Sequence, residues 1–316
     1  MQDKILISRD RPKLKGGLHI HTKIDFPAND GMIPEAEVVG VYRQKGYDFL
    51  AITNHEIMYD IPQVYEDFLL IPSMEVSCNY VGDDPMKGSY THFNIFGDKI
   101  WDNGIIYPKF EYSSVEDIQR VINLLKSRGY LVQWNHPLIS RFTEEEFLSL
   151  RGYDFIEIYN HKDFLEKTGI LAANYMYRSL LNHGHRILHT ATDDFHGKED
   201  PALTRAFIKS FVMVEADLDR DDIFTALGRG SFYSSTGPLI HDYRIENGVI
   251  KIETSPVANI IFLSQRNGCK NVFSVNGDQI EKAEYEISGE EDYVLTQVID
   301  AHGNPAWTQP IFLYDV

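Results

Sequence analysis

The stretch LKGGLHIHT, residues 14–22, is a short apolar run that ends on two histidines one residue apart. Side chains alternate along a strand, so His19 and His21 face the same side and can bind one ion. Downstream, PEAEVVGVYRQKG carries Pro34 at a position suited to a first helical turn and closes at Gly46, a helix stop. A second apolar run follows and ends in AITNHE, which puts His55 at its tip. Strand, helix and strand in that order form a β-α unit that feeds a parallel sheet or barrel.

The same grammar continues to about residue 236. Seven parallel strands are expected, at Leu14 to His21, Tyr47 to Asn54, Leu69 to Ser77, His92 to Phe96, Tyr130 to Trp134, Phe155 to Tyr159 and Ile187 to Ala191. Besides the helix at 34–46, SSVEDIQRVINLLKSRG reads as a helix with Ser113 or Ser114 as its cap and Gly129 as its stop. A third helix is expected near Phe164 to Asn182 and a fourth in DRDDIFTALGRG, after Asp219. Beyond Pro238 the pattern turns to short alternating runs with NG and GN tips, among them IENGVIKIETS, NIIFLSQRNG, NVFSVNGD and YVLTQVIDAHGN. Those are antiparallel hairpins, expected to build a small β-sandwich. The fold class is therefore α/β, with a barrel over residues 1–237 and an all-β domain over residues 238–316.

A chain of 316 residues is long for one ordinary core, which agrees with a large barrel plus a second domain. Its 43% hydrophobic and 24% charged content is that of a globular protein. The 47 acidic residues against 30 basic ones give a charge of -17, which repels polyanions and argues against duplex nucleic acid as a partner. No apolar run is long enough for a membrane span, and MQDKILISRD lacks the apolar stretch of a secretory signal. With only Cys78 and Cys269, no disulfide framework is expected, and a reducing, cytoplasmic setting fits.

Function is read from what the strands end on. After His19, His21 and His55 come MEVS with Glu75, THFNIFG with His92, VQWNHP with His136, and TATDDFHG with Asp194 and His196. In an α/β barrel the C-terminal strand ends converge on one mouth, so residues far apart in sequence meet there. A single histidine is more often a satisfied structural residue than a ligand. Six of them at successive strands, joined by Glu75 and Asp194, instead point to a metal centre. Imidazole with carboxylate oxygen suits zinc, manganese or iron(II), and no thiolate-rich site competes. No G-x-S-x-G elbow, P-loop or dinucleotide fingerprint is present.

Taken in order, HIHT, NDGMIPEAEVV, AITNHE, MEVS, THFNIFG, WNHP and DDFH resemble the motifs of the polymerase and histidinol phosphatase (PHP) family, over roughly residues 14–236. The resemblance implies a distorted (βα)7 barrel with two or three divalent metal ions (Mn, Zn or Fe) and, most often, phosphate-ester hydrolysis. It assigns His19, His21, Glu75 and Asp194 to a first ion. Glu75, His92 and His136 go to a second, and Asp30, His55 and His196 to a third. Asp25 is the rival to Asp30, because KIDFPAND lengthens that loop, and Asn54 stands where the family usually carries Asp.

The expected activity is a metal-dependent phosphoesterase acting on a small anionic phosphomonoester or phosphodiester, with Glu75, Asp194 and His196 as catalytic residues. Three carboxylates and six neutral imidazoles carry about -3, so three divalent ions leave the site positive and suited to an anion. Water bridging two such ions is acidified and can attack phosphorus without a nucleophilic side chain. Arg205 in PALTRAF and Asn160, His161 and Lys162 in EIYNHKD are the substrate-contact candidates. Cleavage of a carboxylic ester, carbamate or amide by the same site is the alternative, as is an inactive ligand- or partner-binding protein. His183, His185 and His189 are explained by helix-end or core hydrogen bonding as well as by ligation, and His241 and His302 read as surface residues.

Overall fold

A computed structural model describes residues 3–58, 65–97, 104–166, 173–265 and 270–313. Cys269, the Asn267-Gly268 tip, the middle of the helix expected at 164–182 and the end of PIFLYDV lie outside the described residues. In chain order the first strands are β1 (Lys4–Ile7), β2 (Leu14–Ile20), β3 (Phe49–Ile52), β4 (Leu69–Ile71), β5 (Ser73–Tyr80) and β6 (Tyr90–Phe96). They are followed by β7 (Phe110–Tyr112), β8 (Leu131–Trp134), β9 (Phe155–Asn160), β10 (Leu188–Thr192), β11 (Phe211–Val214) and β12 (Phe232–Ser235). The helices are α1 (Glu35–Gln44), α2 (Val115–Ser127), α3 (Glu144–Ser149), α4 (His161–Glu166), α5 (Ala173–Asn182), α6 (Pro201–Ala206) and α7 (Arg220–Arg229). The remaining strands are β13 (Ile240–Glu246), β14 (Val249–Val257), β15 (Asn259–Leu263), β16 (Asn271–Phe273), β17 (Ile280–Glu286), β18 (Tyr293–Ile299), β19 (Pro305–Thr308) and β20 (Ile311–Phe312).

The chain is mixed α/β, as expected, but one strand runs against the expected direction. β2, β3 and β4 pair in parallel, and so do β8, β9 and β10. β6 is antiparallel to both of its neighbours, β5 and β8, which corrects the expectation of seven parallel strands. The reason is the connection. Between Tyr80 and Tyr90 there are too few residues for a crossover helix, and without one a strand can only return beside its predecessor as a hairpin. The strand expected from Leu69 to Ser77 is also divided, at Pro72, which has no N–H for a ladder. Its halves, β4 and β5, pair with β3 and β6 respectively.

Two parallel bridges tie the six-stranded sheet (β10-β9-β8-β6-β5-β7) to the sheet that holds β2 and β3. At one, His21 N–H donates to the Phe195 carbonyl at 2.6 Å and Phe195 N–H donates to His19 at 3.2 Å. At the other, Glu56 N–H donates to the Glu75 carbonyl at 3.0 Å and Glu75 N–H donates to Asn54 at 3.3 Å. Both bridges therefore lie at the level of the histidines.

Helix ends follow the sequence signals. Ser114 and Asp117 form a reciprocal capping box at α2, and Asp219 caps α7, which stops at left-handed Gly230. After β12 the chain is antiparallel, and Asn247 and Gly248, both at positive φ, make the expected hairpin tip between β13 and β14. A four-stranded sheet, β1-β13-β14-β17, packs Tyr243, Ile245 and Ile252 into the same core as Ile260, Phe262 and Val298 of β15 and β18. β19 pairs with β12, so the C-terminal strands extend the sheet that holds β2 and β3. Among the described residues no helix is long and apolar enough to cross a membrane.

Candidate metal centre

All nine residues assigned to metals stand together where β2, β3, β5, β6, β8 and β10 meet. Their donor atoms fall into four overlapping groups: His21, Asp30, His55 and His196; His19, Glu75 and His136; His19, His21 and Asp194; and His55, Glu75 and His92. Glu75 is the hub. Its Oε2 lies 3.3 Å from His19 Nε2, 3.2 Å from His21 Nε2 and 3.4 Å from His55 Nδ1. Its Oε1 lies 3.0 Å from His92 Nδ1 and 3.4 Å from His136 Nε2, and accepts a hydrogen bond from Asn135 Nδ2 at 2.7 Å. Asp194 Oδ1 stands 3.3 Å from His19 Nε2 and 3.6 Å from His21 Nε2. Asp30 Oδ2 faces His196 Nε2 at 2.9 Å and His55 Nε2 at 3.2 Å. Asp25 is exposed and belongs to none of the four groups.

The grouping differs in detail from the three expected sets. His21 reaches Asp30 as well as Glu75 and Asp194, and His55 faces Glu75 and His92 as well as Asp30. Shared donors of this kind suit ions held close together.

The chemistry of the donors fits a cation. His19 Nδ1–H donates to Glu157 Oε1 at 2.7 Å, which turns Nε2 towards two carboxylate oxygens. His19 Nε2, both nitrogens of His21 and His92 Nδ1 are buried without a hydrogen-bond partner. A buried polar atom in that condition costs free energy. Positive ions placed among them would partner all of them. Burial pulls the His21 and His92 pKa values down, to about 3 and about 4, and so favours neutral imidazoles. Burial also opposes charge on His19, but Asp194, Glu75 and Glu157 raise its pKa well above the ordinary value. Burial likewise opposes ionisation of Glu75 and Asp194. The surrounding imidazoles, His92 foremost for Glu75 and His19 for Asp194, nevertheless hold both carboxyls well below the usual range.

The sequence reading missed Glu157, the support beneath these donors. Buried on β9, it accepts from His19 Nδ1, from the His136 backbone N–H at 2.7 Å, from Thr192 Oγ1 at 2.6 Å, and from Gln133 and Asn160 at 3.1 Å each. A carboxylate that receives the far N–H of a ligating imidazole fixes its tautomer and raises its basicity. The signal was present in DFIEIYN, where an acid interrupts the otherwise apolar or aromatic run from Phe155 to Tyr159.

Local backbone also serves the site. His136, Asp194 and Glu56, which is next to His55, all have positive φ, at 27°, 50° and 59°. Such conformations cost energy in non-glycine residues and cluster at functional sites. Gly31 lets the loop carrying Asp30 fold back. A Cβ there would lie 2.4 Å from the Thr22 carbonyl. Asn54 accepts from the Thr22 N–H at 2.8 Å and donates to Thr22 Oγ1 at 2.9 Å, so it clamps the HIHT segment.

The substrate candidates divide. Asn160 Nδ2 lies 3.3 Å from Asp194 Oδ2 and positions that carboxylate. His161 has both ring nitrogens engaged, Nδ1 with the Tyr159 hydroxyl at 2.9 Å and Nε2 with the Ala206 carbonyl at 3.0 Å, and it stacks beside Tyr159 and Phe164. Arg205 is exposed, and no described contact joins its guanidinium to the cluster. Lys162 is the cation at the site, with Nζ 3.9 Å from Asp194 Oδ2. Burial works against its charge, but Asp194 and Glu166 keep its pKa above the ordinary value. His183, His185 and His189 each bond a main-chain carbonyl, of Ser179, Leu148 and Thr308. No protein-family profile and no curated protein matches this chain.

Proposed function

We propose that the chain is a metal-dependent phosphoesterase of the PHP kind that hydrolyses a small anionic phosphomonoester or phosphodiester. The carrying observation is the set of nine converging donors, whose orphaned buried imidazole nitrogens face carboxylate oxygens. Two or three divalent ions, manganese, zinc or iron, match that set in number and softness. The fold reading is a distorted seven-stranded barrel made of β2, β3, β5, β6, β8, β9 and β10, with a β-sandwich after it. In support, the Ile20–Phe195 and His55–Glu75 bridges link the two sheets at two places, beside β10 and beside β5.

Ions bound there act as Lewis acids towards phosphoryl oxygen and acidify water. The chain's own residues do the rest. Glu75 and Asp194 stay ionised among the imidazoles and present oxygens towards the centre of the cluster. Lys162 Nζ, beside Asp194, supplies a positive partner for a non-reacting phosphate oxygen. Asp30, whose side chain is 45% exposed, and His196 form the rim through which substrate enters. In the net reaction a water oxygen bonds to phosphorus, the ester P–O bond breaks, and the departing alcohol takes up a proton.

The test is elemental analysis of protein purified without chelators, with turnover of aryl phosphomonoester, phosphodiester and carboxylic ester probes in the same preparation. Two to three ions per chain and hydrolysis of a phosphate probe are expected, with activity falling on the order of a thousandfold or more in His19→Ala. Turnover of the carboxylic ester alone would overturn the phosphate assignment, and absence of bound metal under all conditions would overturn the whole reading.

A further inference from the structure

Beside the cluster lies a groove of about 460 Å³, walled by Lys87, Gly88, Ser89, Tyr90, Leu138, Ile139 and Arg141. That volume is within the range of small-molecule sites. It adjoins the cluster through Tyr90, whose ring lies 6.3 Å from that of His136. The Tyr90 ring stacks on the His92 imidazole at 4.4 Å between centroids and 18° between planes, and Leu138 follows His136 by two residues.

Its walls are fixed. Gly88 N–H donates to the Ser140 carbonyl at 3.2 Å, and the two segments pass so close that a Cβ on Gly88 would lie 1.8 Å from the Ile139 oxygen. Ser140 Oγ is 2.5 Å from Thr91 Oγ1, which also accepts from Trp134 Nε1 at 3.1 Å. Arg141 ends this short 3-10 turn in the left-handed region, at φ 51° and ψ 37°. Both cations of the groove come from these pinned segments, but they differ. The Lys87 ammonium is paired with Glu146. The Arg141 guanidinium has no carboxylate partner among the described contacts, in a chain where acids outnumber bases 47 to 30.

We infer that this groove receives the organic arm of the ester, and that the arm is a planar ring bearing an anionic group. The ring lies along Tyr90 and the anion meets Arg141. An aromatic face backed by a stacked imidazole offers a rigid platform that loses little entropy on binding. A planar guanidinium free of other acids is suited to fork a carboxylate or a second phosphate. The inference rests on the hydrolase reading for the position of the reacting group, and it adds the substrate's other end.

The test uses metal-loaded full-length protein with phenyl phosphate, 4-carboxyphenyl phosphate and butyl phosphate, each compared as variant over parent. Arg141→Gln is expected to lower kcat/KM for the carboxylated ester by about tenfold while leaving phenyl phosphate unchanged. Tyr90→Leu is expected to lower both aryl esters relative to the butyl ester. Equal effects of Arg141→Gln on both aryl esters, or none on either, would overturn the inference. Calorimetry with phenylphosphonate and 4-carboxyphenylphosphonate needs no turnover and separates the two readings. An Arg141-dependent Kd difference in a protein that cleaves no phosphate ester would keep the groove and remove the phosphoesterase. Equal Kd values would remove the groove, whatever the activity.

Discussion

Among the described residues one kind of buried histidine stands at the end of β2 and just past it, and another on strand β10. At its start, His189 is fully buried and fully satisfied, with Nε2–H donating to the Thr308 carbonyl at 2.8 Å and Nδ1 3.0 Å from Ser234 Oγ. Its backbone is clasped as well, by the Gln309 side chain at 3.0 Å and 2.9 Å. At the end of β2 and just past it, His19 and His21 are as fully buried, but His19 Nε2 and both nitrogens of His21 have no hydrogen-bond partner. Burial is the same in both places, so burial does not identify a ligand. What separates them is whether the buried nitrogens have found partners within the protein.

The largest consequence falls on His189. His189→Ala removes both ring hydrogen bonds, strands the Thr308 carbonyl and leaves a cavity, so unfolding in urea should show a loss of about 3 kcal/mol. Metal content should not change. If the variant lost its metal while keeping its stability, the distinction between the two histidine sets would collapse. The same residue predicts an acid dependence. Burial lowers its folded pKa to about 4, below the free value of about 6.5. Its contribution is therefore complete above pH ~6.5 and is lost as pH falls towards ~4, because the unfolded chain binds a proton that the folded chain refuses. His189→Gln should flatten the stability–pH profile in that window, and a profile identical to the parent's would refute the assignment.

A smaller effect is expected one step back from the cluster. Glu157→Gln keeps the shape of the side chain but replaces the carboxylate that receives His19 Nδ1–H. Metal affinity measured by chelator competition should fall by roughly 10- to 100-fold, as for other carboxylates behind ligating imidazoles. An unchanged affinity would mean that Glu157 serves only the hydrogen-bond layer of Gln133, Thr192 and Asn160.

Much of the candidate cluster was legible because strand alternation and strand-end placement are local properties. HIHT and DDFH each put two donors on one side by spacing alone. His92 was found for an incomplete reason. It stands near the start of its strand, which in a parallel strand is the wrong end of the barrel. Because β6 runs antiparallel, its start lies at the same level as the ends of its neighbours, and Ser77 of β5 pairs with His92. Strand direction depends on the length of a connection and on what else fills the sheet, and an apolar run does not encode it. The surroundings of His161 and Arg205 were hidden for a similar reason. Their residue types suit phosphate, but the Tyr159 hydroxyl and Ala206 carbonyl that occupy His161 become visible only after folding. Lys162, next in sequence, is the one whose charge stands against Asp194.

The weakest effect tests the one departure from the resembled motif. Asn54 sits directly before His55, a candidate ligand, so an Asp there looks from sequence like a change to the candidate site. In the fold its two polar atoms are spent on Thr22, and none of its described hydrogen bonds reaches a ligand side chain. In Asn54→Asp the carboxylate can still accept from the Thr22 N–H, and the Thr22 hydroxyl can turn to donate where it now accepts. The cost of the buried charge is then offset in part, and stability should move by only about 1 kcal/mol, with metal affinity changed less than about threefold. A tenfold gain in affinity would show that charge at this position reaches the ions through the backbone of His55, and that Asn54 weakens the site rather than framing it.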